Sequence, residues 1–328
     1  MTDEFKPFSL GGVRIGFPVV LASLAGYTDL AYRMLCRRRG AEYCASEMIL
    51  DRCVLARRRK PNPLIAIGEQ DHPVGGQLIG NDPATMADAA VALSRLGFDV
   101  VDLNFACPVN KALRRKRGGF LMNDPARVLE ITRAVRAACD RPVTLKLRRR
   151  YRHEHEDDNL WRIAEGAFDA GAAAVAVHAR SVEAKYSGPA DWEFLAELKR
   201  RFPERTVLGS GDMLTPAAAL EALRDTGVDG VLAARGALGN PWFFRQVKDL
   251  AAGREPFHPS LAEQRNALLE HLAGAVELYG PEKGPRMMRK FGIKYARLHP
   301  TPKAVRIAFV AVKRPEDWYD VVERYYTD

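Results

Sequence analysis

The stretch Phe98-Asp99-Val100-Val101-Asp102-Leu103-Asn104-Phe105-Ala106-Cys107-Pro108 decides the fold of this 328-residue chain. Its apolar run stops at Asn104 and Cys-Pro follows at once. Proline fixes its own φ and pushes the preceding residue into an extended conformation, so the thiol lies on a rigid loop just past a strand end. Parallel α/β folds keep their chemistry at that end of their strands. Most cysteines are buried and inert, which suits Cys36, Cys44 and Cys139 within apolar helix or strand patterns, whereas Cys107 is placed to react.

Outward from this strand, apolar β-rich runs alternate with helical patterns across 19–22, 43–48, 74–79, 100–104, 143–147, 174–178, 206–209 and 230–233. This alternation predicts an α/β fold of the (β/α)8 TIM-barrel type. Asn81-Asp82-Pro83, Asn123-Asp124-Pro125, Thr215-Pro216 and Asn240-Pro241 each set a capping residue before a proline suited to a first helical turn. Gly97, Gly171 and Gly227 close helices ahead of the next strand. The helix after the second strand, around 51–59, has the least regular pattern. After Leu250-Ala251-Ala252-Gly253 the alternation ends, Arg254-Glu255-Pro256-Phe257-His258-Pro259 reads as a linker, and 261–279 shows helical periodicity with no strand to follow. A barrel domain over 1–253 and a smaller all-helical domain over 260–328 are expected.

The net charge of +9 is concentrated in runs: Arg37-Arg38-Arg39, Arg57-Arg58-Arg59-Lys60, Arg114-Arg115-Lys116-Arg117 and Arg148-Arg149-Arg150. From Lys283 to Arg314 the chain carries Lys283, Arg286, Arg289, Lys290, Lys294, Arg297, Lys303, Arg306, Lys313 and Arg314 with no Asp or Glu. A single charge run is usually a solvated face; several, with Phe291, Tyr295 and Phe309 among them, favour a nucleic-acid partner, without separating RNA from DNA. Five cysteines without paired or metal-ligand spacing fit a reducing compartment. No run of about 18 apolar residues and no signal-peptide pattern occurs, so a cytoplasmic protein without a membrane span is expected. His153-Glu154-His155-Glu156-Asp157-Asp158 has metal-ligand residue types, but no third convergent ligand accompanies it, so no metal site is expected.

Polar residues at successive strand ends converge on the mouth of a barrel. Here they are Ser23, Glu47, Gln77, Asn104, Cys107, Lys146, His178, the Gly209-Ser210-Gly211-Asp212 turn and the Ala234-Arg235-Gly236 turn. The loops after the seventh and eighth strands are the usual phosphate site of such barrels; both carry glycine, and Arg235 stands beside them. Lys146, among apolar neighbours, needs a negative partner. A flavin that gains charge on its pyrimidine edge when reduced would supply one, and an ion pair with Glu47 is the alternative. Gln77 and Asn104 suit the polar edge of such a ring, while His178 suits a flavin or phosphate contact or a satisfied core position.

With these residues in place the chain resembles the tRNA-dihydrouridine synthases, FMN-dependent enzymes that reduce uridine in tRNA. The resemblance covers nearly the whole chain and rests on Ala25-Gly26-Tyr27-Thr28-Asp29, Ser46-Glu47-Met48, Gln77-Leu78-Ile79-Gly80, Asp102-Leu103-Asn104 with Cys107-Pro108, and Val177-His178-Ala179-Arg180. Its most specific blocks are Tyr186-Ser187-Gly188-Pro189-Ala190-Asp191-Trp192 and Arg235-Gly236-Ala237-Leu238-Gly239-Asn240-Pro241-Trp242. The resemblance implies hydride transfer from reduced FMN to uracil C6, a proton from Cys107 to C5, and NADPH as reductant. It implies flavin contacts from Ala22, Ser23, Leu24, Gln77, Asn104, Lys146 and His178, with Gly209, Ser210, Gly211, Asp212, Ala234, Arg235 and Gly236 around the phosphate. The acid-free segment and the basic run on the Cys107 loop set Arg286, Arg289, Lys290, Lys294, Lys111, Arg114 and Arg115, with Arg180, as the expected tRNA contacts, and a monomer is expected; Phe291, Tyr295 and His299 either stack on RNA or belong to the helical core. The chain departs from the common pattern at Ser23-Leu24, Ala106, Asn110, Ser210 and Ala234. A flavin barrel acting on a free pyrimidine or enone, and a tRNA-binding relative without catalysis, are the competing readings.

Overall fold

The computed structural model describes residues 4–56, 62–152 and 157–327; the Arg57-to-Lys60 run and His153 to Glu156 lie outside the described residues. Strands β3 (Val19–Leu21), β4 (Cys44–Ala45), β5 (Ile49–Leu50), β6 (Val74–Ile79), β7 (Val100–Asn104), β8 (Val143–Arg148), β9 (Ala174–His178), β10 (Val207–Ser210) and β11 (Gly230–Ala233) form one sheet. All pairings are parallel, in the order β4-β3-β11-β10-β9-β8-β7-β6-β5. A further β4–β6 pairing closes it into an eight-position barrel in which β4 and β5 are halves of one strand. Both faces of such strands are covered, hence their apolar runs.

The second strand was expected to be continuous over 43–48. It breaks between Ala45 and Ile49, where side chains take up main-chain N–H groups: the Ser46 hydroxyl accepts the N–H of Gln77, and Glu47 accepts the N–H of Gly26. Ahead of the barrel, β1 (Phe8–Leu10) and β2 (Val13–Ile15) form an antiparallel hairpin whose register leaves Gly11-Gly12 as its two-residue turn. Gly11 has φ +61, a conformation that excludes most side chains. Phe8, Leu10 and Ile15 close one end of the barrel against Val20, Tyr43, Val100, Ala174, Ala176 and Leu208.

Helices α1 (Leu30–Arg37), α2 (Asp51–Leu55), α3 (Pro83–Leu96), α4 (Asn110–Leu113), α5 (Pro125–Ala138), α6 (Asp158–Asp169), α7 (Trp192–Arg201), α8 (Pro216–Thr226) and α9 (Phe243–Ala251) surround the strands. Asp82, Asp124 and Thr215 cap α3, α5 and α8 by accepting the N–H of Thr85, Arg127 and Ala218. Asn240 does not cap α9, which begins after Trp242; its amide instead donates to Gln246 at 2.7 Å. Gly97 and Gly227 end α3 and α8 in left-handed conformation.

Beyond Ser260, whose hydroxyl and Glu263 form a capping box, the chain is helical: α10 (Leu261–Tyr279), α11 (Lys283–Tyr295), α12 (Pro302–Ala311) and α13 (Pro315–Tyr325). These helices share one apolar core with the barrel. Gly274 of α10 lets its backbone approach Ala31 of α1, and Tyr32 packs against both His271 and Phe291 with ring centroids at 5.3 and 5.1 Å. Phe291, Tyr295 and His299 are buried to 1%, 1% and 8% exposure. The core reading holds for all three, and stacking on RNA does not, because each is enclosed by the helices that carry it. Among the described residues no helix is long and apolar enough to cross a membrane.

Candidate active site

A cavity of about 460 Å³ opens where the strands end, lined by residues from successive barrel positions together with Lys294 of α11. Alternation along each strand decides which side chains meet there. Asp102 and Asn104 share one face of β7, and Thr144, Lys146 and Arg148 share one face of β8. The register sets Gln77 beside Asp102, Asp102 beside Thr144, Asn104 beside Lys146, and Arg148 beside His178.

These neighbours form a continuous polar chain. The Thr144 hydroxyl and the Gln77 Nε2 donate to the two oxygens of Asp102 at 2.7 and 2.6 Å. Asn104 Nδ2 donates to Gln77 Oε1 at 2.6 Å, and Asn104 Oδ1 accepts the N–H groups of Ala106 and Cys107 at 3.0 and 2.9 Å. Burial raises the Asp102 carboxyl, against the pull of its donors and Lys146.

Lys146 Nζ is enclosed and has no hydrogen-bond partner, and the hydroxyl of Ser23 is likewise buried and unpartnered. The alternative ion pair with Glu47 is not formed: Lys146 Nζ has no partner, and the Glu47 carboxylate instead accepts the N–H of Gly26. Burial, reinforced by Arg148, lowers the Lys146 ammonium to about 7. His178 is driven far down by burial and by the cations around it, so its imidazole is neutral. Arg180 Nη1 stands 3.4 Å from Nε2, which must therefore accept, leaving Nδ1–H to donate to Ser210 Oγ at 3.1 Å. Burial raises the Cys107 thiol, which lines the cavity at 9% exposure. A thiol held protonated at neutral pH is suited to give a proton rather than to attack.

The Gly209-to-Asp212 and Ala234-to-Gly236 turns meet at one side of the cavity. Gly211 has φ +131, and a Cβ there would stand 2.6 Å from that of Ala190; one on Gly236 would stand 2.4 Å from the Met213 carbonyl oxygen. Burial opposes ionisation of Asp212, but Arg180, the Ala190 N–H and Arg235 hold its carboxyl below the ordinary range. Gly209 lies in β10 beneath this turn and Gly236 behind it, whereas Ala22, Ser23, Leu24, Ser210, Gly211, Asp212, Ala234 and Arg235 border the cavity itself.

Of the residues expected at RNA, Lys111, Arg114, Arg115, Arg286, Arg289 and Lys294 are exposed. Arg180 is placed differently: it is buried, and its guanidinium is held by Asp212 and the Gly188 carbonyl. Lys290 is half-buried, its Nζ 5.2 Å from the ring of Tyr27, with Glu47 and Asp29 as the nearby acidic groups.

Arg148 is a site residue that sequence reading left inside a charge run. It is 3% exposed, lines the cavity, and donates to the carbonyls of Ala106, Ser181 and Lys185, so it ties the Cys107 loop to the loop after β9. The two-residue spacing from Lys146 was the signal that it shares the inward face. Tyr186, 54% exposed, extends over the mouth with the Arg235 and Arg148 guanidinium groups 4.8 and 5.8 Å from its ring.

A family model described as dihydrouridine synthase matches residues 20–326. The chain is 36% identical over 319 residues to tRNA-dihydrouridine synthase B of Xanthomonas campestris, covering 97% of this chain and 95% of that one. It is 37% identical over 292 residues to tRNA-dihydrouridine synthase B of Pseudomonas aeruginosa, covering 89% and 87%. Among solved structures it is similar to a 2-naphthoyl-CoA reductase complex, with a TM-score of 0.59 at 15% identity over 77% of this chain and 53% of that one. Histamine dehydrogenase from Rhizobium sp. 4-9 gives 0.59 at 14% identity over 83% and 51%. The chain spans about half the length of these two proteins, and at such identities the likeness is one of fold.

Proposed function

Because the chain belongs to the dihydrouridine synthase family, we propose that it reduces the C5–C6 double bond of a uridine in tRNA, with FMN at the barrel mouth, NADPH as reductant and Cys107 as proton donor. The observation that carries this reading is the enclosed, unpartnered Lys146 ammonium beside the Cys107 loop in one cavity. A buried cation without a partner is costly, and the electron-rich edge of a flavin is a fitting one. The cavity volume and its mainly apolar lining, with a few polar groups at the strand ends, fit a ring system of that kind.

In this reading Lys146, Gln77, Asn104 and His178 hold the ring, Ser23 gives its unpartnered hydroxyl, and the two glycine-bearing turns with Arg235 hold the phosphate. Arg180 positions this end through Asp212 instead of touching RNA. Flavin bound there and reduced by NADPH would supply the hydride that adds to uracil C6. Cys107 releases its thiol proton to C5, so one hydride and one proton saturate the double bond, and the thiolate regains a proton from solvent. Arg148 fixes the loop that carries the thiol. Lys111, Arg114, Arg115, Arg286, Arg289 and Lys294 meet the phosphates of the RNA, and the half-buried Lys290 adds to the same field at the seam between α11 and the barrel. Such contacts supply the few kcal/mol needed to take the target base out of its stack.

The purified protein is expected to bind FMN, and with NADPH to form dihydrouridine in tRNA that lacks it. A protein that takes up no FMN would refute the proposal; one that binds FMN and reduces free uracil but not tRNA would favour the free-pyrimidine reading.

A further inference from the structure

We propose that Asp102 is a positioning residue: it is the terminal acceptor of the chain Gln77–Asn104–Cys107, and so fixes both the backbone of the Cys107 loop and the amide edges that Gln77 and Asn104 turn to the cavity. Its functional consequence rests on the proposed role of Cys107; the positioning itself does not.

The sense of the chain follows from what each group can do. Backbone N–H groups only donate, so the Asn104 atom that meets Ala106 and Cys107 must be Oδ1. That turns Nδ2 toward Gln77, whose facing atom must accept and is therefore Oε1. Nε2 of Gln77 is then left as a donor that needs an acceptor, and the Asp102 carboxylate provides it. Nε2 can only donate, so the Asp102 oxygen facing it accepts and closes the chain in one direction. The Thr144 hydroxyl takes the other carboxylate oxygen and keeps the group from turning.

All four side-chain partners are buried, at 8% exposure for Asp102 and Asn104, 4% for Gln77 and 5% for Thr144. All four line the cavity, so a water entering there could occupy a lost link but would not fix the orientation of the amide beside it, and a polar group left bare would bear the full cost of desolvation. Cutting the chain at Asp102 therefore frees the Gln77 amide to rotate. Asn104 then loses the acceptor that holds its own orientation, and the two N–H groups of the loop lose a fixed oxygen.

The test is the rate at which a small uncharged alkylating reagent modifies Cys107 in the free protein at fixed pH, read by peptide mass spectrometry with buried Cys36 and Cys139 as internal references. Asp102→Leu is expected to speed modification of Cys107 by about tenfold or more, as loss of a charge-assisted hydrogen bond implies. Asp102→Asn keeps an oxygen for Gln77 and should stay within about threefold of wild type. Gln77→Met cuts the chain one link later and should match Asp102→Leu, which keeps the proposal testable if Asp102→Leu does not fold. Modification of Cys107 at the wild-type rate in either folded variant would overturn the proposal, as would equal acceleration at Cys139, which would mean general loosening. Dihydrouridine formation is measured alongside: faster alkylation with unchanged turnover would leave Asp102 as the positioning residue and remove Cys107 from the chemistry.

Discussion

Replacing Lys146 with Met should stabilise the flavin-free protein, and by an amount that depends on pH. In the folded chain the ammonium titrates near 7, against 10.5 ordinarily, chiefly because its Nζ is enclosed. The unfolded chain therefore holds a proton between those two values that the folded chain does not. Stability rises with pH wherever the unfolded state binds more protons. Burying Lys146 thus costs most below pH 7 and least above pH 10.5. At ~1.4 kcal/mol per pH unit, the full difference is roughly 5 kcal/mol, and between pH 7 and pH 9 it changes by about 2.3 kcal/mol, since Lys146 is half-protonated at pH 7 in the folded chain. Denaturant unfolding of wild type and Lys146→Met at several pH values measures this directly. The advantage of the variant should be largest at pH 7 and below and should shrink as pH rises, while FMN affinity falls sharply. An advantage independent of pH would refute the argument that an enclosed, unpartnered ammonium waits for a ligand.

Gly236→Ala should weaken FMN binding while leaving the barrel folded, because its Cβ would meet the Met213 and Leu214 carbonyl oxygens at 2.4 and 3.0 Å, backbone atoms that can move only with the turn; unchanged affinity by titration would contradict this. Replacing Arg286 and Arg289 with Ala should shallow the dependence of log affinity for tRNA on log salt by about 0.7 to 0.9 per lost contact, with NADPH reduction of the flavin unaltered; an unchanged slope would take α11 out of the interface. Gly239→Ala should lower tRNA affinity without loss of FMN, since Gly239 has φ +72 and a Cβ there would stand 2.3 Å from the Lys294 backbone, forcing α11 off the barrel; equal affinity for tRNA would refute this.

The barrel was legible because strands covered on both faces are written as apolar runs, and proline after a capping residue marked the starts of α3, α5 and α8. The break between β4 and β5 was not, since it depends on the Ser46 hydroxyl meeting the N–H of Gln77, a contact no local pattern announces. The hairpin of β1 and β2 carried a signal, Gly11-Gly12 between short alternating runs, that three-residue strands make easy to pass over. At the site, strand-end position placed Gln77, Asn104, Cys107, Lys146 and His178 around one cavity. Arg148 was masked by Arg149 and Arg150, although alternation along β8 sets it on the face of Lys146. Arg180 and Lys290 show the limit of reading charge as surface: one is closed in by Asp212, the other drawn against Tyr27.

The central claim, that Cys107 delivers the proton that completes reduction of uridine, is tested most directly by separating the two half-reactions in Cys107→Ala. FMN-loaded wild type and variant would be reduced anaerobically with NADPH, then mixed with tRNA lacking dihydrouridine, and the modified base counted by mass spectrometry as the flavin reoxidises. Both proteins should accept electrons from NADPH at the same rate, and the variant should form dihydrouridine at least about a hundredfold more slowly, the range set by loss of a general acid. Formation of dihydrouridine by Cys107→Ala at the wild-type rate would contradict the account.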